Sequence, residues 1–309
     1  MRPAVYIPNY NGSERIGRGL TSLREQSRPL DVVVVDNGSS DDSLELLREQ
    51  FPEVTVLALE RNLGFGPALN RAVAEHRADP LILLNDDAAA GPRFVEALLD
   101  AAAEGVQSVA GVMVQERDPG LIDSAGVVAD RTLMGFDYLH GEPLATAATA
   151  PDPLGPTGGA ALYDRAAFEA VGGFDERIFL YYEDLDLALR LAAAGGRCRL
   201  AAGATAVHAY SASLGAGSGR KFAHTGWSRG YMLRRYGVMS RPRLALRALA
   251  CEGALCAGQV LMDRTAKGIG GRLRGWRDGG GLPPHELDGA PLLDIGAREA
   301  LALRRRRRG

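Results

Sequence analysis

Apolar residues come in short blocks along the first third of the chain. AVYIP at 4–8, VVVV at 32–35, VTVLALE at 54–60 and LILL at 81–84 are runs of strand-forming residues. Each is followed by a stretch with helical periodicity: residues 13–26, 41–51, 64–76 and 92–105. In the second of these, Leu44, Leu47 and Phe51 share one face, and in the last Pro92 stands near the first helical position. Continuous runs such as VVVV and LILL, rather than strict alternation, predict strands buried on both faces. The βαβα rhythm therefore predicts an α/β fold with a mostly parallel central sheet flanked by helices.

Beyond residue 106 the pattern loosens. SVAGVMVQ at 108–115 and LIDSAGVVAD at 121–130 read as strands, and the Pro, Ala and Thr rich segment 142–159 reads as a loop. A helix is expected from about Asp164 to Gly172–Gly173, and another over 181–196 with Gly195 as its C-terminal cap. Residues 197–210 read as two short strands, and the Gly and Ser rich segment 211–221 as a loop. The remainder is helical, arginine rich and carries five consecutive arginines near its end.

Charge changes the picture more than composition does. The 309 residues have a net charge of −2, but 17 basic and 31 acidic side chains fall in residues 1–218, against 19 basic and 7 acidic in residues 219–309. That split points to a basic region with an anionic partner, either a solvated helical extension or a surface that docks on an anionic bilayer. Nucleic acid is not expected, because few aromatics interleave with the cations. Three cysteines without metal-ligand spacing suit a reducing, cytoplasmic setting. The apolar stretch 248–262 is short and carries Glu252 and Gln259, so no membrane span is expected.

Three of the expected strands end in polar groups: Pro8-Asn9-Tyr10-Asn11, Asp36-Asn37-Gly38-Ser39 and Asn85-Asp86-Asp87. In open parallel sheets ligands bind at that edge. Adjacent carboxylates resist burial unless a cation is shared, so Asp86 and Asp87 either open a turn before Pro92 or face a hard divalent ion. Asp36 lies several residues before the helix that Ser40 or Asp41 caps, and is free to meet a base or ribose. Glu183 and Asp184 open a helix, where negative charge is favoured, and one of them is a candidate general base. His208 ends the run ATAV, either as a structural histidine or as a metal ligand. No phosphate loop, His-Glu-x-x-His motif or nucleophile elbow is present, and Leu69 stands where a dinucleotide fingerprint needs its third glycine.

IPNYNG, VVVVDNGSSDDS, RNLGFGPALN, LILLNDDA, GGAALYDR, GGFDERIFLYYEDLDLALRL and AVHAYSAS follow one another in a fixed order. Over about residues 3–236 the chain thereby resembles glycosyltransferase family 2, in its rhamnosyltransferase-like and galactofuranosyltransferase-like branch. The resemblance implies a GT-A fold over residues 1–236, with a nucleotide-binding half at 1–110 and an acceptor-binding half at 111–218, and leaves 237–309 as a helical, arginine-rich extension. It implies that Pro8, Tyr10 and Asp36 cradle base and ribose with Asn62 and Gly64 nearby, and that Gly158 and Gly159 belong to the nucleotide-sugar site. Asn85-Asp86-Asp87 matches the Asp-x-Asp motif with Asn85 replacing its first acid. Asp86 then lies near the ribose, Asp87 binds Mg²⁺ or Mn²⁺, and His208 joins the metal. Glu183-Asp184 matches the acidic pair, with Asp184 as base. The implied enzyme is an inverting, metal-dependent transferase that moves a sugar from a dTDP- or UDP-sugar to a glycan or lipid-linked acceptor. The loop 209–219 with Arg220 and Lys221 would close over the diphosphate. The rivals are a sugar nucleotidyltransferase, whose Gly-rich basic signature IPNYNGSERIG does not supply, and a catalytically silent sugar-nucleotide-binding scaffold.

Overall fold

The computed structural model describes residues 3–209, 218–285, 287 and 289–306. It opens with β1 (Ala4–Asn9), α1 (Ile16–Arg24), β2 (Asp31–Asp36), α2 (Ser43–Gln50), β3 (Thr55–Ala58), α3 (Phe65–Glu75), β4 (Leu81–Leu84), β5 (Ala88–Ala90) and α4 (Phe94–Ala101). Alternate side chains of a strand point to opposite faces, which is why the unbroken apolar runs form strands here. Ile82 and Leu84 pack with Val5, Ile7 and Val34 against Ile16, Leu20 and Phe94. Leu81 and Leu83 pack with Tyr6, Val33 and Val35 against Leu69, Val73 and Phe168 on the other side. Both faces of the sheet are therefore core.

The second part comprises β6 (Ser108–Gln115), β7 (Ile122–Ser124), β8 (Val127–Ala129), β9 (Gly135–Asp137), β10 (Ala160–Tyr163), α5 (Arg165–Ala170), α6 (Glu183–Ala193) and β11 (Cys198–His208). The sheet order is β3-β2-β1-β4-β10-β6-β11-β5, with β7 also paired to β6, while β8 and β9 form a separate pair. β1, β2, β3, β4, β6 and β11 run one way, and β5, β7 and β10 run against them. The sheet is thus mostly parallel, with an antiparallel strand inserted at its centre. Asp164 caps α5 by accepting from Ala167 N–H at 2.7 Å, and Gly195 closes α6 at φ 83°. The two strands expected over 197–210 are one, β11, whose register against β6 shifts between Leu200 and Thr205. The small residues of AAGA look like a break, but an irregularity in the ladder absorbs them.

The C-terminal part is α7 (Gly219–Arg235), α8 (Pro242–Leu261), α9 (Lys267–Asp278) and α10 (Ala297–Arg306). It shares a core with α6, in which Leu185 and Leu189 meet Tyr231, Met232, Tyr236 and Ala248. α7 and α9 approach so closely that a Cβ at Gly230 or Gly275 would overlap backbone of the facing helix. α8 corrects one sequence expectation: the apolar stretch extends to a continuous 20-residue helix, long and apolar enough to cross a membrane by length and composition. The expected closing loop 209–219 falls largely on residues 210–217, outside the described residues.

Candidate active site

β1 pairs with β2 on one side and β4 on the other, so the chain order reverses at β1 and a crevice opens beyond the carboxyl ends of these strands. The three polar strand ends gather there. Asn9 Nδ2 donates to Asp36 Oδ1 at 2.8 Å, and Asp36 Oδ2 accepts from Ser39 N–H at 3.0 Å. Asp36 is 1 % exposed, so its carboxylate organises the β1 and β2 termini from within. Asn37 accepts from Leu63 N–H and donates to Asn62 Oδ1 and the Gly64 carbonyl, locking the segment before α3. Gly64 has φ 97° and lies against Phe179 backbone, a position closed to any side chain. Pro8 is half-buried, and Tyr10, just past the end of β1, is 45 % exposed.

Beyond β4 the two aspartates part company. Asp86 accepts from Arg15 Nη2 at 2.8 Å, and Arg15 also donates to the Asn11 and Tyr10 carbonyls. Burial and the neighbouring charge of Asp87 outweigh Arg15 and lift the Asp86 carboxyl to about 6. Asp87 turns towards β11. The pairing of His208 with Ala88 and the bond from Ala209 N–H to the Asp87 carbonyl (3.0 Å) fix that approach. His208 Nε2 lies 3.2 Å from Asp87 Oδ1, and its Nδ1 lies 2.7 Å from Asp123 Oδ2. Asp123, on β7, is also 3.5 Å from His140 Nδ1. Burial would lower the His208 pKa, but the two flanking carboxylates raise it to about 10. Burial would raise Asp123, but His140 and His208 hold it well below the usual carboxylate range.

The acidic pair at the start of α6 reaches the same region through Gly158-Gly159. Gly158 N–H donates to Asp184 Oδ2 at 3.4 Å, and the Gly159 carbonyl accepts from Asn85 N–H at 3.2 Å. A Cβ at Gly158 would press on the Phe65 ring, and one at Gly159 on Asn85 and Met113. Leu185 N–H donates to Asp184 Oδ1 at 2.7 Å. Glu183 is buried, its Oε2 has no hydrogen-bond partner among the described residues, and desolvation with the adjacent Asp184 lifts it to about 8. Burial and the adjacent carboxylate favour the neutral form of Glu183, whereas Asp184 is half-buried and more accessible. Tyr181 and Tyr182, at φ 69° and 72°, lead into α6 in the left-handed region, a local strain on the order of 1–3 kcal/mol each that aims the pair.

A divalent cation fits the Asp87–His208 corner. Asp87 Oδ1 is buried and receives no aligned hydrogen bond among the described residues. Two neighbouring ligands of an octahedral ion, each at about 2.1 Å, stand about 3 Å apart, close to the separation seen. Among the described residues no three His, Cys, Asp or Glu side chains form a cage. Such an ion would rest on two protein ligands and on oxygens of water or a donor, which Mg²⁺ and Mn²⁺ accept. The sequence reading missed Arg15 and Asp123. Asp123 left one signal, a carboxylate within the apolar run LIDSAGVV. Arg15 left none.

The family model described as Glycosyl transferase family 2 matches residues 4–172. The chain is 33 % identical over 218 residues to an N-acetylglucosaminyl-diphospho-decaprenol L-rhamnosyltransferase of Mycobacterium tuberculosis, across 62 % of this chain and 71 % of that one. Among solved structures, it resembles the mannosyltransferase PcManGT from Pyrobaculum calidifontis, in complex with GDP-Man and Mn²⁺, with a TM-score of 0.53 at 20 % identity over 90 % of this chain and 86 % of that one. It also resembles GalNAc-T7 with UDP, GalNAc and Mn²⁺, with a TM-score of 0.61 at 14 % identity over 92 % and 55 % of the two chains. These likenesses show the GT-A fold.

Proposed function

The chain belongs to glycosyltransferase family 2 and is a glycosyltransferase; from that premise we propose that it moves a rhamnose-like deoxyhexose, or a hexose, from a dTDP- or UDP-sugar to a glycan or lipid-linked acceptor, with inversion. The rhamnosyltransferase likeness supports the deoxyhexose donor and a diphospho-polyprenol acceptor. The observation that carries the reading is the 3.2 Å approach of His208 Nε2 to Asp87 Oδ1 beneath the crevice of β1 and β4. Residues 1–236 form the catalytic domain and 237–309 its extension. The enzyme works on the cytoplasmic side of a membrane and contributes to a surface polysaccharide.

Asp87 and His208 hold Mg²⁺ or Mn²⁺, and Asp123 fixes the imidazole so that Nε2 faces the ion. When bound, the ion neutralises charge growing on the departing diphosphate. Pro8, Tyr10, Asn62 and Gly64 shape the base and ribose pocket, and Asp36 holds that rim in place. Asp86, with Arg15, meets the ribose. Gly158 and Gly159 pack against Phe65, Asn85 and Met113 and, through their backbone, hold Asp184 and Asn85 at the nucleotide-sugar site. Asp184 takes the proton from the acceptor hydroxyl as that oxygen attacks the anomeric carbon from the face opposite the diphosphate. One displacement inverts the centre without a covalent enzyme intermediate. Glu183, whose neutral form burial favours, adds no second charge beside Asp184 and leaves Asp184 as the accessible carboxylate.

A thermal-shift panel of dTDP, UDP and their sugars with and without Mn²⁺ tests this. Stabilisation by one nucleotide series should need Mn²⁺ and vanish in Asp87→Asn. Asp184→Asn should keep that stabilisation and lose transfer by about 10²–10⁴-fold. Stabilisation that ignores Mn²⁺, or its survival in Asp87→Asn, would overturn the assignment of the metal corner.

A further inference from the structure

Residues 219–309 carry the excess of positive charge, but the fold divides those cations into two groups. Arg229 and Arg272 grip the buried Glu252 at 2.7 and 2.6 Å. Arg247 pairs with Asp130 at 2.6 Å, and Arg235 is buried against Tyr231 and His285. These arginines hold the C-terminal helices to the body. Arg241, Arg243, Arg264, Lys267 and Arg274 remain exposed around the two ends of α8 and along α9.

Between them α8 presents an uncharged surface. Glu252 is the one charged residue from Ala248 to Met262, and it points inward. Leu246, Leu249, Gly253, Ala257, Val260 and Leu261 succeed one another at steps of one to four residues and are all exposed, Leu246 at 73 % and Leu261 at 79 %. Met262 in the following turn and Leu273 on α9 are equally bare, at 74 % and 69 %. A contiguous apolar face of this kind, on a helix with basic ends, marks a surface that leaves water. It offers no directional polar group for a protein partner to match, and its basic fringe selects a partner with negative charge.

We infer that α8 lies in the headgroup boundary of an anionic bilayer, with Leu246, Leu249, Val260 and Leu261 in the acyl region and Arg243, Arg264 and Lys267 at the phosphates. The helix lies on the membrane and does not cross it. Crossing would expose Glu252 to lipid or tear it from Arg229 and Arg272, a loss that buried ion pairs resist strongly. The inference rests for its purpose on the lipid-linked acceptor proposed above, since it brings the enzyme to the surface where such an acceptor is held. Its test does not involve transfer.

The full chain, without donor, is floated with vesicles of phosphatidylcholine alone and of phosphatidylcholine mixed equally with phosphatidylglycerol. The wild type should float with the mixed vesicles and be released by alkaline carbonate. A Leu246→Glu, Leu249→Glu variant should lose apparent affinity by about tenfold or more at low and high salt. An Arg243→Glu, Arg264→Glu, Lys267→Glu variant should lose only the preference for phosphatidylglycerol, and mainly at low salt. An unchanged thermal shift with nucleoside diphosphate reports that each variant is folded. Failure of the wild type to float, equal flotation of the leucine variant, or resistance to carbonate would overturn the inference. So would a dimer that the leucine variant dissolves while the wild type stays off vesicles, since the face would then be a contact between copies. Flotation without any donor-induced shift would instead count against the transferase site and leave this inference standing.

Discussion

Asp123 accepts from His208 Nδ1 at 2.7 Å, so its carboxylate decides which imidazole nitrogen is left for Asp87. Asp123→Asn should weaken Mn²⁺ binding by about 10–100-fold, read by calorimetric titration of Mn²⁺ in the presence of nucleoside diphosphate. Equal affinity in the variant would remove Asp123 from the site. Glu183 offers a test of a different kind. Its folded pKa is raised to about 8 by burial and by Asp184, so its neutral form suits the fold and the stability it lends is present below the ordinary glutamate range and lost as pH rises through about 8. Glu183→Gln should therefore raise Tm at pH 8 and leave it nearly unchanged at pH 4. A lower Tm at pH 8 would mean that the charged form is paired in the fold. At this scale the sequence already marked Asp87, Asp184 and His208, because charged or imidazole groups at strand and helix ends are conspicuous. It did not mark Asp123 or Arg15, whose parts depend on neighbours far away in the chain.

At the scale of elements, the helices and strands follow from period and capping. Asp164 caps α5 as its position before an apolar run implies, and LILL is a strand with core on both faces. The glycines of α7 and α9 were a different matter. In sequence, Gly230 and Gly275 only weaken their helices, yet in the fold they let two backbones meet. Gly275→Ala should destabilise the chain by about 1–3 kcal/mol in urea melts, although alanine is the better helix former. A gain in stability would show that the helix pair opens easily. The step into α6 was equally hidden, because nothing about Tyr181-Tyr182 announces two left-handed residues.

For the whole molecule, Glu252 ties α8 to α7 and α9 through Arg229 and Arg272. Burial would raise its pKa, but the two guanidinium groups lower it to about 2. The stability from this carboxylate is present above its ordinary value of about 4.5 and is lost as pH falls towards 2. Glu252→Gln should lower stability at pH 7 by about 3–5 kcal/mol, and the gap from the wild type should shrink as pH falls from 4.5 to 2. A gap that stays constant over that range would show that the triad lends no charge-dependent stability. The charge split between residues 1–218 and 219–309 was plain from the sequence, but which cations face inward was not. An arginine in an Ala and Leu rich helix looks the same whether it meets water or Glu252.

The order of strand-end motifs determined the family and the parallel half of the sheet, because local period, strand-end chemistry and their sequence along the chain are all one-dimensional. The antiparallel place of β10, the shift within β11, the place of Asp123 behind His208, and the bare face of α8 were decided by tertiary structure alone. Each depends on pairing between residues tens to more than a hundred positions apart, and such pairing is set by the competition of whole faces for burial rather than by any short stretch of residues.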